Sequence, residues 1–204
     1  MTVLFVACGA LAREVIAIRD KHEWDAKILS LPASYHNQPR HIPGAVQTCV
    51  EKQGHDFSRV VIIYGDCGTG GMLDKTLGEL GLERIAGPHC YEMYAGEDGF
   101  VSLTSEEPGT FYLTDYLAQS YDHLLIEGLG LDRFPELRDE YFRHYRRMVY
   151  LQQRHDPELI RKAHLAAEAL DLPLEIRFTG YGALEERLSQ SMQPAAVEND
   201  LIEF

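Results

Sequence analysis

The sequence is short of positive charge and has no long apolar segment. It contains 19 Lys and Arg residues against 32 Asp and Glu residues in a chain of 204, which gives a formal net charge of −13. Because non-specific affinity for nucleic acid depends on cations that neutralise phosphates, this balance argues against nucleic-acid binding and against an anionic membrane surface. No apolar run approaches the roughly 18 residues that span a bilayer, and we find no signal peptide. The sequence therefore predicts a cytoplasmic protein.

Cysteine is also scarce, with four residues and no CxxC pair. In a reducing compartment structural disulfides are not expected, and the missing pair excludes a zinc-ribbon or thioredoxin signature. A Walker phosphate loop is missing as well, because the glycine-rich stretch "YGDCGTGG" at 64–71 has no lysine at the required position. The same stretch fails the dinucleotide-binding spacing, since Leu73 stands where the third glycine would be.

Apolar runs alternate with helical patterns along most of the chain. The runs predicted as strands are "TVLFVA" (2–7), "AKILSLP" (26–32), "RVVIIY" (59–64), "LERIAG" (82–87), "GTFYLT" (109–114) and "LEIRFTG" (174–180). This alternation predicts an α/β fold with a mainly parallel sheet and helices on both faces. The expected arrangement is Rossmann-like and three-layered, with a helical C-terminal segment.

The expected domain organisation is one α/β domain over residues 1–190. Within it, a helical insertion is predicted over about 115–171, where aromatic residues such as Tyr141, Phe142 and Tyr145 recur at helical spacing. Thr114 and Asp115 are typical of a helix N-terminus, and Asp156 followed by Pro157 is typical of another. Residues 191–204 are predicted to form an acidic tail, frayed or docked on a partner.

Three of the cysteines follow predicted strands. Cys8 ends the first strand, Cys67 lies just beyond the third, and Cys90 lies just beyond the run at 82–87. The carboxyl ends of parallel strands lie at one edge of a sheet, and ligands of open α/β folds bind outside that edge. We therefore expect these three thiols to gather there. Cys49 falls inside a helical stripe and is not part of the set.

Three converging thiols are typical of a zinc or iron site, or of a cluster, because both metals accept thiolates. His36 follows the second strand and is the preferred fourth ligand, and His89 is the alternative. His89 is less favoured because side chains at neighbouring positions of an extended segment, here His89 and Cys90, point apart. A second interpretation makes each cysteine a small buried apolar residue.

The glycine-rich turns allow a different ligand. Gly9, Gly68, Thr69 and Gly70 are predicted to contact a cofactor, because backbone amides at a helix N-terminus can hold an anion. The same helix end is expected to lower the pKa of Cys67. Glu14, one turn into the first helix, is expected on a solvated helix face.

The motifs, taken together, resemble a known family. "ACGAL", "SLPASYHNQP", "YGDCGTGG", "GPHCYEMYAG" and "PGTFYLT" occur in the order seen in uncharacterised prokaryotic proteins of domain of unknown function family 1638. The resemblance covers roughly residues 3 to 185 and points to Cys8, His36, Cys67 and Cys90 as the matching motif positions. Members of that family tend to be encoded beside corrinoid-dependent methyltransferases, which implies methyltransferase components as partners.

The first hypothesis is a cytoplasmic metalloprotein of methylamine or one-carbon metabolism, with zinc or iron held by the three cysteines and His36. If it is catalytic, the metal would act as a Lewis acid on a thiol, amine or methyl-group substrate. The alternatives are a metal-free accessory protein that binds a corrinoid or a nucleotide, and a thiol redox enzyme. The sequence leaves the substrate and the oligomeric state open.

Overall fold

The computed structural model describes residues 2–193 as an α/β fold with two three-stranded parallel sheets flanked by helices. The strands are β1 Val3–Cys8, β2 Ala26–Leu31, β3 Arg59–Ile63, β4 Thr110–Leu113, β5 Arg147–Gln152 and β6 Leu174–Phe178. The α-helices are α1 Ala12–Lys21, α2 Ile42–Gln53, α3 Met72–Glu79, α4 Cys90–Ala95, α5 Glu97–Glu106, α6 Asp115–Gln119, α7 Leu137–Phe142, α8 Pro157–Leu170 and α9 Gly182–Met192. The predicted fold class is confirmed, although the strands form two sheets rather than one.

The first sheet has the order β2-β1-β3, so the first strand of the chain is its centre. Phe5 pairs with Ile28 on one side and with Val61 on the other. Every residue of β1 is buried, because parallel strands between helices are covered on both faces. The continuous apolar run "VLFVAC" therefore takes the central position, and its last residue lies at the carboxyl edge.

The second sheet has the order β4-β5-β6, and its central strand corrects the sequence analysis. Residues 147–152 lie inside the predicted helical insertion at 115–171, yet they form β5, paired in parallel with both neighbours. Met148 and Val149 therefore belong to a strand and not to the predicted helical insertion. Helices precede and follow this strand, as α7 and α8, so the helical prediction is wrong only for its middle part.

Alternate residues of β5 face two hydrophobic cores. Val149 and Leu151 pack in the first core, together with residues of β1 and β3. Met148 and Tyr150 pack in the second core, together with α8 residues. Because successive side chains of a strand point to opposite faces, this one strand joins the two halves of the molecule.

Helix α9 returns from the second sheet to the first. Its Leu184 and Leu188 are fully buried in the first core. Arg187 of the same helix donates two hydrogen bonds to the Glu92 carboxylate on α4, at 2.7 and 2.5 Å. The acidic tail was predicted to begin at residue 191, but Ser191 and Met192 still belong to α9. The part of the predicted tail from 194 to 204 lies outside the described residues.

The run at 82–87 is not a strand. It makes one isolated parallel bridge, between Arg84 and Ile62, and the Ile85 N–H donates to the Ile62 carbonyl at 2.9 Å. The segment nevertheless follows β3 in parallel. The residues that come after it, Pro88 to Cys90, are thereby led to the carboxyl edge of the first sheet.

The predicted N-caps are confirmed. Asp156 accepts hydrogen bonds from the N–H groups of Glu158 and Leu159, and Pro157 is the first residue of α8. We expect Asp156→Ala to lower the free energy of unfolding by about 1 kcal/mol, because it leaves those N–H groups without an acceptor. Urea denaturation would measure this, with the exposed Glu168→Ala on the same helix as the control. Equal stability of the two variants would contradict the prediction.

None of the helices within residues 2–193 is long and apolar enough to cross a membrane.

Candidate functional site

The carboxyl edge of the first sheet carries Cys8 at its centre. Cys8 is the last residue of β1, pairs with Leu31 of β2, and is 2% exposed. Its sulfur accepts a hydrogen bond from the Ala10 N–H at 3.3 Å. Gly9 is needed beside it, because a Cβ there would lie 2.8 Å from the Leu31 carbonyl oxygen. The close approach of β1 and β2 therefore fixes the Cys8 backbone.

Cys67 and Cys90 lie on two segments that pack directly on each other. The Cys67 N–H donates to the Pro88 carbonyl at 2.9 Å, and Gly65 packs against the backbone of His89. Cys90 is the first residue of α4 and follows His89 directly. The turn after β3 and the start of α4 thus bring the second and third thiols to the edge that carries Cys8.

Burial and mutual repulsion both raise the pKa values of thiols at this edge. Burial is the main reason that the pKa of Cys8 is raised to about 12; the hydrogen bond from Ala10 opposes the rise, and the charge of Cys67 contributes to it. Burial also raises the pKa of Cys90 well above its usual value, with contributions from Cys8 and Cys67. The expected gathering of Cys8, Cys67 and Cys90 at one edge agrees with these couplings.

The prediction of a lowered Cys67 pKa is wrong. Burial raises the pKa of this thiol to about 11, and Asp66 adds to the rise, against smaller opposing effects from a backbone hydrogen bond and from Arg84. Helix α3 begins only at Met72, so Cys67 does not lie at a helix N-terminus. Cys67 also has a φ of +50°, a left-handed conformation that costs a non-glycine residue free energy and occurs preferentially at functional sites.

Two histidines border the thiols, as the sequence suggested. The His36 ring lies 3.9 Å from the Cys8 sulfur, and its Nδ1 donates to the Ala33 carbonyl at 2.9 Å. That bond leaves Nε2 with a lone pair and orients the ring, which is common for histidine ligands. His89 is half-buried, and its buried Nδ1 atom has no hydrogen-bond partner within residues 2–193. Burial lowers the pKa of His89, which favours the neutral ring.

These side chains do not form a ready ligand shell as they stand. In the described part of the chain, no three His, Cys, Asp or Glu side chains are arranged so that they could hold a metal ion. The backbone segments of Cys8, Cys67 and Cys90 converge, but the sulfurs would have to turn toward a common point.

The glycine-rich turn is closed by a carboxylate of the chain itself. Asp66 accepts hydrogen bonds from the Thr69 hydroxyl at 2.6 Å and from the N–H groups of Gly70 and Gly71 at 3.2 and 2.8 Å. These bonds, led by that from Thr69, lower the pKa of Asp66. The donors of Thr69 and Gly70 that the sequence assigned to a cofactor are thus engaged, as is the Gly9 N–H, which donates to Leu31. The positive φ of Gly68, +82°, is a requirement of the turn.

A buried polar group at the second sheet was missed from the sequence. Asp115 follows β4, and Gln153 and Arg154 follow β5, so all three lie at the carboxyl edge of that sheet. Glu14 on α1 is 3% exposed, which contradicts the expected solvated position. Had residues 147–152 been identified as a strand, the strand-end rule that selected the cysteines would have selected Gln153 and Arg154 too.

Comparison with known proteins gives a single result. A family model described as "Protein of unknown function (DUF1638)" matches residues 30–188, which is well over half of the chain. No curated protein and no solved structure matches the chain.

Proposed function

The chain belongs to the DUF1638 family, as its motifs suggested, and we propose that it binds one zinc or iron ion through Cys8, Cys67 and Cys90. His36 is the preferred fourth ligand and His89 the alternative. Three thiolates and one imidazole suit zinc, and iron accepts the same donors, alone or in a cluster. Which of the two metals is bound is left to measurement.

The observation that carries this proposal is the convergence of three thiols with raised pKa values, of which Cys8 is buried and Cys67 and Cys90 are half-buried. Cys8 and Cys90 come from a strand end and a helix start far apart in sequence, and Cys67 comes from the turn between them. Neutral thiols gain little from such a gathering, whereas a cation stabilises the deprotonated sulfurs and offsets their burial. The N–H group of Ala10, which donates to the Cys8 sulfur, also favours the thiolate.

The chemistry of the surroundings disfavours the two alternatives. Raised pKa values at Cys8 and Cys67 are the opposite of what a reactive redox thiol needs. An anionic nucleotide would have to displace Asp66 from the glycine-rich turn. A corrinoid ligand, a methyltransferase partner and a role in methylamine or one-carbon metabolism stay predictions that rest on the family resemblance. If the protein is catalytic, a bound metal would supply Lewis-acid chemistry.

Elemental analysis tests the proposal on protein purified without added metal. We expect about one equivalent of zinc or iron in the wild type and in Cys49→Ser, because Cys49 lies on α2 away from the thiol edge. We expect Cys67→Ser to lose at least about nine-tenths of the metal, since an alcohol is a poor ligand for these ions. The exchange of one sulfur for oxygen preserves shape, so circular dichroism should show an unchanged fold.

Less than about a tenth of an equivalent in the wild type, unchanged in Cys67→Ser and not restored by incubation with Zn²⁺ or Fe²⁺, would contradict the proposal. Metal loss of the same size in Cys49→Ser would contradict the site assignment. His36→Ala and His89→Ala identify the fourth ligand, because only the variant that removes a ligand should weaken metal binding.

A further inference from the structure

A groove of about 1080 Å³ lies between helix α2 and the edge strand β2. Its helical wall consists of residues at spacings of four, three and four along the chain: His41, Ala45, Thr48 and Lys52. Residues at such spacings share one face of a helix, and a rise of 1.5 Å per residue makes this wall about 16 Å long. The groove is therefore large enough for a small organic molecule.

The opposite wall of the groove is apolar. Leu29 and Leu31 of β2 line it, and because they are two positions apart their side chains point to the same face of the sheet. Both side chains are half-buried, as is Ala45 on the helical wall. Within residues 2–193, β2 pairs with β1 alone, so no further strand covers its outer side. The apolar body of a ligand would remove these side chains from water.

The groove carries positive charge in a chain that is acidic as a whole. None of the sixteen described residues that line it is Asp or Glu, although 32 of the 204 residues of the chain are acidic. Arg40 and Lys52 line it and are exposed. Neither forms an ion pair within residues 2–193, whereas two arginines that line the cavity beside β3 pair with carboxylates. Glu51 precedes Lys52 but does not line the groove, and its carboxylate accepts a hydrogen bond from Gln47 at 2.8 Å.

Hydrogen-bond donors are concentrated at one end of the groove, where residues 33–41 form two 3-10 turns that connect β2 to α2. Ser34, Asn37 and Arg40 line this end, and all three are exposed. A guanidinium group presents a planar fork of N–H donors that matches the oxygens of a carboxylate or a phosphate. This end follows the carboxyl end of β2, the side of the sheet on which open α/β folds bind their ligands.

We propose that this groove binds an elongated organic anion, as a site separate from the thiols. The negatively charged oxygens of the ligand accept hydrogen bonds from Arg40, and its apolar body lies along Leu29 and Leu31 toward Lys52. Binding is non-covalent, so no bond forms or breaks. The two cations provide local attraction for an anion that the net charge of −13 would otherwise repel.

Ligand-observed NMR tests the proposal, with 4-phenylbutyrate as the anionic probe and 4-phenylbutan-1-ol and 4-phenylbutylammonium as neutral and cationic probes of the same shape. On protein stripped of metal with EDTA, we expect saturable binding of the anion with a Kd of about 1 mM or lower. The alcohol should bind at least about tenfold more weakly, and the ammonium should not bind. Arg40→Gln should weaken anion binding at least about tenfold. Arg13→Gln, the same loss of charge at an exposed position of α1, should leave it unchanged.

Gly44→Leu obstructs the groove without a change of charge. Gly44 lines the groove from within α2, and a Cβ there would have no other atom within 4 Å. The leucine side chain should therefore extend into the groove and abolish binding of the anion. Because leucine favours a helix over glycine, the variant should melt at or above the temperature of the wild type, which confirms that it folds. Gly78→Leu is the matched control, since Gly78 on α3 has the same open space and does not line this groove.

Equal affinity for the anion and the alcohol would overturn the proposal, as would equal weakening by the Arg40 and Arg13 substitutions. Anion binding that persists in Gly44→Leu, or no saturable binding of the anion up to about 10 mM, would overturn it too. The groove borders the thiol edge, because Leu31 lines it and pairs with Cys8. The probes are titrated without metal, so failure of this site is distinguishable from failure of the metal site.

Discussion

Replacing Gly65 with alanine is expected to lower the free energy of unfolding by about 3 kcal/mol and to abolish metal binding. A Cβ at this position would lie 2.5 Å from the His89 Cα and 2.7 Å from both the His89 nitrogen and the Pro88 carbonyl oxygen. All three are backbone atoms and cannot turn away. The two segments must therefore separate, and the hydrogen bond from the Cys67 N–H to Pro88 breaks with them. Cys67 and Cys90 then no longer reach a common ion.

Gly78→Ala is the matched control for this experiment. Gly78 lies inside α3, and a Cβ there has no other atom within 4 Å. Alanine should stabilise the helix by up to about 1 kcal/mol and leave the metal content unchanged. Urea denaturation and elemental analysis of both variants give the comparison. A Gly65→Ala protein with wild-type stability and metal content would show that the contact between the two segments does not position the thiols.

The cysteines could be placed from the sequence because their position depends on a local rule. Each follows an apolar run, and the ends of parallel strands share an edge whatever the rest of the fold does. The run at 82–87 makes a single bridge to β3 rather than a strand, but it runs parallel to β3, and Cys90 therefore still lies at that edge. The pKa of Cys67 could not be inferred in the same way. It depends on how much of the surroundings is apolar, and the packing of distant segments decides this.

The strand β5 was missed because its apolar run is short and flanked by charge. "MVYL" at 148–151 follows aromatic residues at helical spacing, so the local pattern favoured a continued helix. Burial on both faces, with Val149 in one core and Tyr150 in the other, selects the strand instead. β5 is covered in this way only when β4 and β6 pair with it, and a short stretch of sequence does not show that pairing.

Because β5 was not predicted, the polar residues at the carboxyl edge of the second sheet were missed as well. With β5 predicted as helix, Gln153 and Arg154 had no sheet edge to lie at. The burial of Glu14, in contrast, could have been found from α1 alone, because Glu14 lies three residues after Leu11 and four residues before Ile18, and both of these are buried.

Asp115→Ala is expected to have the largest effect on stability of any single change at the second edge, about 3–5 kcal/mol. The substitution removes the acceptor of the Tyr150 hydroxyl, the Gln153 N–H and Arg154 Nε at once. The first two donors are buried, and the guanidinium, whose side chain is 27% exposed, loses its carboxylate partner. The cost is therefore that of two buried donors left without an acceptor and of a broken ion pair.

A double variant separates these contributions. If the unpaired guanidinium dominates the cost, Arg154→Met in the Asp115→Ala background should recover about 1–2 kcal/mol, because it removes the charge that has lost its partner. Urea denaturation of the wild type, both single variants and the double variant forms a complete cycle. Additive single effects would show that Asp115 and Arg154 do not act as a pair. Coupling of at least about 1 kcal/mol would show that Asp115 holds Arg154 in place as an ion pair.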